Sequence, residues 1–201
     1  MKFGPVRIAQ AEGKILGHNI SDSYGKRVLR KGNQLTDNDV RLLVEIGRTA
    51  VYVAELEPGD IAEDTAAERV ARSVCGEGVQ TTRPVVGRVN LLAQEWSVLR
   101  VDASRLTRIN ECEGITLATL PSHTVVKPRK IAATIKVIPF AIPETTVRAA
   151  EAIAVENDPV VKLYPLRKRM VALILSSSPY AKTRVVNNFV PALQARIEGF
   201  G

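Results

Sequence analysis

Pro84-Val85-Val86-Gly87-Arg88-Val89-Asn90, Trp96-Ser97-Val98-Leu99-Arg100-Val101 and Ile115-Thr116-Leu117-Ala118-Thr119-Leu120 are the stretches that decide the fold class. The first is a β-prone run broken by a glycine. The second is continuous, and the third alternates and stops at Pro121. Val125 to Ile138 adds two more such runs around Lys127-Pro128-Arg129. Short apolar, β-branched runs separated by turn residues every eight to twelve positions or so indicate consecutive strands. Between the second and third runs, Asp102 or Ser104 can cap a short helix through Cys112, with Leu106, Ile109 and Asn110 on one face. The centre of the chain, residues 84–138, is therefore predicted to be mostly β, with no helix longer than about three turns.

Helices are expected on both sides of this centre. Thr36 is a good N-cap, and Asp37 and Asp39 lie in the first turn, where the helix dipole favours acids. Val40, Leu43, Val44 and Gly47 follow at i, i+3, i+4 and i+7, giving an apolar stripe and a glycine stop. Thr49 to Ala54 then reads as a buried strand. Pro58-Gly59-Asp60 turns into a second helix, about 60–75, whose polar residues suggest a solvated surface with a narrow alanine seam. Further on, Pro143-Glu144 opens an alanine-rich helix to about Val155, and Val160 to Pro165 is a short strand. Met170-Val171-Ala172-Leu173-Ile174-Leu175 is an unbroken apolar run, the pattern of a strand buried on both faces in a parallel sheet. The polar loop Ser176-Ser177-Ser178 and a helix from Lys182 to about Arg196, interrupted by Pro191, complete the opening of a βαβ unit. The expectation is an α/β protein: an α+β first domain with a β-rich centre over residues 1–165, then the first βα unit of a second domain over 166–201. The missing second strand implies the front portion of a longer protein.

Composition narrows the function classes. Of 201 residues, 45% are apolar and 24% charged, which suits a folded globular chain. Aromatic residues are only 4%, so aliphatic side chains must fill the core. Cys75 and Cys112 are too few for a disulfide framework or a cysteine zinc site. His18 and His123 have no ligand partner nearby in sequence. No apolar stretch is long enough to cross a bilayer, and the N-terminus lacks the apolar core of a signal peptide. A reduced, cytoplasmic protein is expected. Within the net charge of +7, residues 49–78 are acidic on balance and residues 79–201 basic. The basic part could attract a nucleotide, a phosphorylated cofactor or nucleic acid. The lack of aromatic residues beside the basic groups argues against nucleic acid.

No phosphate-cradling glycine loop, dinucleotide fingerprint or nucleophile elbow occurs, and no histidine acid–base pair is visible. Three stretches could hold an anion. Gly87-Arg88-Val89-Asn90 joins a flexible backbone position to a guanidinium and an amide, although a bulge glycine with surface flanks explains the same pattern. Lys136 lies in the apolar strand Thr134 to Pro139, where alternation would point it outward. Ser177, with Lys182 at the following helix start, lies where open α/β sheets bind ligands.

GRVNLLA (87–93), EGITLATLP (113–121) and KIAATIKVIPFAIPE (130–144) resemble a family of molybdopterin-binding proteins related to the MoeA-like molybdopterin molybdotransferases. The opening MKFGPVRIAQAEGKILGHNI, RKGNQLTDNDVRLL and LEPGDIAEDTAAERVA fit the same family, so the resemblance spans nearly the whole chain. GRVNL and TIKVIPFAIP are its most specific pieces. The resemblance implies a MoeA-like N-terminal region, then the start of a molybdopterin-binding domain of the MogA type at RMVALILSS. It also implies a homodimer, molybdopterin as ligand, and a nucleotidyltransferase as partner or fused domain. Gly87, Arg88, Asn90, Lys136, Ser177 and Lys182, from the three anion-binding stretches, are the candidate contacts for that ligand, with Arg88 and the lysines toward phosphate and Asn90 toward the pterin edge. The acidic and glycine-rich motifs of a complete second domain are not in this sequence, which argues against catalysis by this chain alone. Relatives carry an Asp-Lys-Thr stretch where this chain has Asn187-Asn188-Phe189. A docking or dimerisation module that binds nothing small is the alternative.

Overall fold

The computed structural model describes residues 1–199. β1 (Lys2–Arg7), β2 (Ile15–Leu16), β3 (Ile20–Ser21) and β4 (Arg27–Leu29) precede α1 (Asp37–Glu45) and β5 (Ala50–Glu55). β5 is the centre of an antiparallel sheet with β1 on one side and β2 on the other, and β3 pairs with β4. Alternation along β5 sends Val51 and Val53 inward onto Ile8, Leu16, Leu29, Leu35 and Leu43, a core of their own. α1 starts as its sequence predicts. The Asp39 N–H donates to Thr36 Oγ1, and the Thr36 N–H donates back to Asp39 Oδ2 at 2.9 Å, so both orphan amides are satisfied. The apolar stripe differs in one position: Val40, Leu43 and Ile46 pack on this core, while Val44 faces solvent.

A second, larger core follows. β6 (Asp60–Ala62) leads into α2 (Glu63–Val74), then β7 (Val79–Thr81), β8 (Arg88–Ala93), β9 (Ser97–Val101), α3 (Ala103–Asn110), β10 (Ile115–Thr119), β11 (Val125–Val126), β12 (Ile131–Val137), β13 (Ala141–Pro143), α4 (Glu144–Ala154) and β14 (Val161–Pro165). One sheet has the order β10-β12-β8-β7 and another β11-β9-β14; β6 pairs with β13. All these ladders are antiparallel. The β-rich centre is as predicted, and the eight-residue α3 is its one helix, with the Asp102 side chain accepting from the Arg105 N–H.

The solvated reading of α2 is corrected. Ala66, Ala67, Val70, Ala71 and Val74 are buried in the middle of this core, against β8, β12 and α4. Small side chains let a helix lie close to a sheet, so an alanine face that looks narrow in sequence covers a full contact. The polar residues have partners as well: the Arg69 guanidinium bonds Glu151 Oε1 at 2.8 Å and Glu144 Oε1 at 3.2 Å on α4.

The strand expected over 170–175 is also corrected. Residues 166–178 carry no regular secondary structure, and Met170 and Ile174 are almost wholly exposed. A strand needs a neighbour for its backbone groups, and among the described residues this segment pairs with no strand. Val171 and Leu173, about half exposed, line a shallow cavity with Val190, Leu193 and Ile197 of α5 (Lys182–Glu198). α5 continues through Pro191 without a break. The fold is thus a mixture of helices and strands in small sheets. Among the described residues no helix is long and apolar enough to cross a membrane.

Candidate functional site

The chain reaches β8 through a two-residue hairpin turn. The Val85 N–H donates to Arg88 O at 3.0 Å and the Arg88 N–H to Val85 O at 3.1 Å. The central residues, Val86 and Gly87, have φ of 51° and 66°. Positive φ at both central positions defines the turn that best matches strand twist, and it favours Asn and Gly. A β-branched side chain there is strained, by roughly 1–3 kcal/mol. Neighbouring elements impose the geometry. The Gly87 N–H donates to Asp64 Oδ1 of α2 at 2.5 Å, the Val137 N–H donates to Gly87 O at 2.8 Å, and Lys136 Nζ donates to Val86 O at 2.7 Å.

Gly87 itself is closed in. A Cβ added to it would sit 2.5 Å from Glu63 Oε2, 2.6 Å from the Val137 carbonyl oxygen and 2.9 Å from Lys136 Nζ.

Lys136 lies directly opposite Arg88 in the β8–β12 ladder. Its ammonium donates to Glu63 Oε2 (3.2 Å), Val86 O (2.7 Å) and Val137 O (2.6 Å), one acceptor for each proton. Burial pushes the Glu63 carboxyl above its usual range, against the pull of the adjacent Lys136. The lysine therefore bolts the turn to α2 from beneath rather than standing clear of the strand. Arg88 is exposed, and among the described residues its guanidinium has no hydrogen-bond or ion-pair partner. Asn90, one pleat further on, accepts from Thr134 Oγ1 at 2.9 Å through its side-chain oxygen, and its backbone N–H donates to Thr82 Oγ1 at 3.0 Å.

Gly87, Arg88, Asn90 and Lys136 are thus gathered on two adjacent strands and the turn that leads into one of them. Ser177 and Lys182 are not joined to them. Both are exposed in the segment beyond β14, and among the described residues no hydrogen bond or ion pair links them to the turn. Sequence reasoning missed Glu63, Asp64 and Val86. The two acids sit in a helix start that looked solvated, and their partners lie far along the chain, where local periodicity gives no signal. Among the described residues no group of three or more His, Cys, Asp or Glu side chains could hold a metal ion.

Residues 5–55, nearly the whole of the first packing unit, match the family model of a domain of unknown function (DUF8806). No curated protein and no solved structure matches the chain.

Proposed function

We propose that this chain is a cytoplasmic, non-catalytic molybdopterin-binding protein of molybdenum-cofactor biosynthesis, and that Arg88 takes the phosphate of the anionic pterin. One observation carries the reading. The two stretches with the most specific resemblance, GRVNL and TIKVIPFAIP, pair across one ladder, Arg88 against Lys136 and Asn90 against Thr134. They meet at a strained turn held from three sides, which fixes the backbone from which an unpartnered guanidinium projects. A planar fork on a rigid base suits a phosphate, because only the side chain, and not the backbone beneath it, has to be ordered on binding. Asn90 keeps its amide nitrogen for a ring edge. Lys136 shapes the site and does not touch the ligand.

The test is calorimetric titration of wild type and Arg88→Ala with molybdopterin or a phosphate-bearing pterin analogue, at two salt concentrations. Loss of one charge-assisted hydrogen bond of about 1.5–3 kcal/mol predicts roughly ten- to more than a hundredfold weaker binding. Equal affinities overturn the assignment.

A second reading has its own support. Val85 is 65% exposed, Val86 45% and Ile138 63%, an apolar surface beside Arg88. This suits a docking face for a second copy, as a homodimer, or for a nucleotidyltransferase partner. Light scattering of wild type and Val85→Asp separates it: a fall in mass favours docking, an unchanged mass with intact pterin binding favours the ligand site.

A further inference from the structure

Arg100 and Lys162 stand directly opposite each other in the β9–β14 ladder. Like charges at facing positions of an antiparallel pair destabilise a sheet unless something neutralises them. Their surroundings form a cavity of 760 Å³ lined by Arg100, Asp102, Arg105, Asn157, Asp158, Lys162 and Tyr164 among others. That volume lies in the range of small-molecule sites.

The charged groups of this cavity divide into two sets. Arg105 and Asp102 belong to the wall. Arg105 is only 4% exposed, and its guanidinium donates to Asp102 Oδ2 and to Ala154 O, both at 2.9 Å, and to the Asp158 carbonyl oxygen. The Arg105 backbone N–H and guanidinium in turn hold the Asp102 carboxyl below the usual range. These bonds tie α3 to the end of α4 and to the loop before β14, so the rim is rigid. Arg100 and Lys162 are the second set. Among the described residues Arg100 has no side-chain partner. Lys162 has Glu77 at 3.9 Å, but that carboxylate is 87% exposed and holds it loosely. The Lys162 ammonium otherwise lies 5.2 Å from the centre of the Tyr164 ring, and both residues line the cavity. The exposed loop residues Asn157 and Asp158 line the same space.

We infer that this cavity is a second oxyanion site, in which Arg100 and Lys162 clamp the phosphate of a phosphorylated small molecule while Asn157 and Asp158 hydrogen-bond its uncharged part. An anion between the two cations neutralises the facing charges more fully than the exposed, loosely held Glu77 carboxylate does. The space exceeds what a bare phosphate fills, and the paired loop groups suit a ligand that also carries hydrogen-bond donors. The site is on a different sheet from Arg88 and does not depend on the pterin reading.

The experiment follows backbone amide shifts by NMR while inorganic phosphate, then pyrophosphate, is titrated into the full chain. Sodium chloride at matched ionic strength is the control. The expected result is a saturable shift of β9 and β14 amides, absent in chloride, unchanged in Arg88→Ala, and weakened about tenfold or more in Arg100→Gln and in Lys162→Gln. Each Gln variant should keep or raise the melting temperature of the ligand-free chain, because it removes the facing like charge. Shifts that do not saturate, that match chloride, or that persist undiminished in both Gln variants overturn the proposal. So does a loss of shift accompanied by a fallen melting temperature in both variants, because the two cations would then be structural.

Discussion

Gly87→Ala tests whether the turn is held as tightly as its bonds indicate. Two contributions add. An alanine at a φ of 66° enters the left-handed region, which costs roughly 1–2 kcal/mol. Its Cβ would also lie 2.5 Å from Glu63 Oε2 and 2.6 Å from the Val137 carbonyl oxygen. The carboxylate is the end of a flexible side chain and can retreat. The carbonyl belongs to the β12 backbone and cannot, so the turn itself must lift. Lifting breaks the Val137 N–H bond to Gly87 O and the Gly87 N–H bond to the Asp64 carboxylate. A neutral hydrogen bond contributes about 1 kcal/mol and one to a charged group about 1.5–3. The sum is a loss of about 3.5–6 kcal/mol.

Gly13→Ala isolates the first contribution. Gly13 has a φ of 75° with nothing within 4 Å of an added Cβ, so its loss should stay near 1–2 kcal/mol. Urea unfolding of the two variants and wild type measures both, provided the slope with denaturant is unchanged. If Gly87→Ala costs no more than Gly13→Ala within about 0.5 kcal/mol, the turn yields freely and the argument for a rigid Arg88 platform fails.

Two further outcomes are expected. Val86→Asn should stabilise the chain by about 1 kcal/mol in the same unfolding assay, since Asn tolerates the φ of 51° that Val does not; an unchanged or lower midpoint would show that Val86 is not strained. Asp102→Asn should change the response to acid. Arg105 depresses the folded-state carboxyl, so Asp102 contributes stability that is complete above its unfolded value near about pH 4 and is lost as pH falls through the lower folded value. The gap in urea midpoint between wild type and Asp102→Asn should therefore narrow from about pH 6 to about pH 2, and a gap that stays constant would remove Asp102 from the acid response.

The features legible in the sequence are those whose physics is local. Thr36 and Asp39 are three residues apart and cap one helix, and the order of short strands from Arg88 to Val137 follows from alternation and turn residues. What the sequence hid depends on elements that meet only in the fold. The alanine face of α2 becomes core because β8, β12 and α4 close on it. Lys136 alternates outward by the rule for strands, yet it curls under the turn because Glu63, at the start of a helix well upstream, supplies a half-buried carboxylate. The cross-strand pair of Arg100 and Lys162 is equally invisible in the linear chain, since register decides which residues face each other.

The run at 170–175 makes the same point from the opposite side. Six consecutive apolar residues specify a segment that gains by leaving water, not the partner that removes it. A helix satisfies its own backbone, so Pro191 notwithstanding, α5 forms from local bonding and a modest apolar face. A strand has no such recourse: its amides and carbonyls need an edge to pair with, and every named ladder here is antiparallel and forms without this segment. Val171 and Leu173 border the α5 residues Val190, Leu193 and Ile197 and stay about half exposed, while Met170 and Ile174 are almost wholly in water. Hydrophobicity sets the tendency to be buried; pairing with a backbone edge determines whether that tendency ends as a strand.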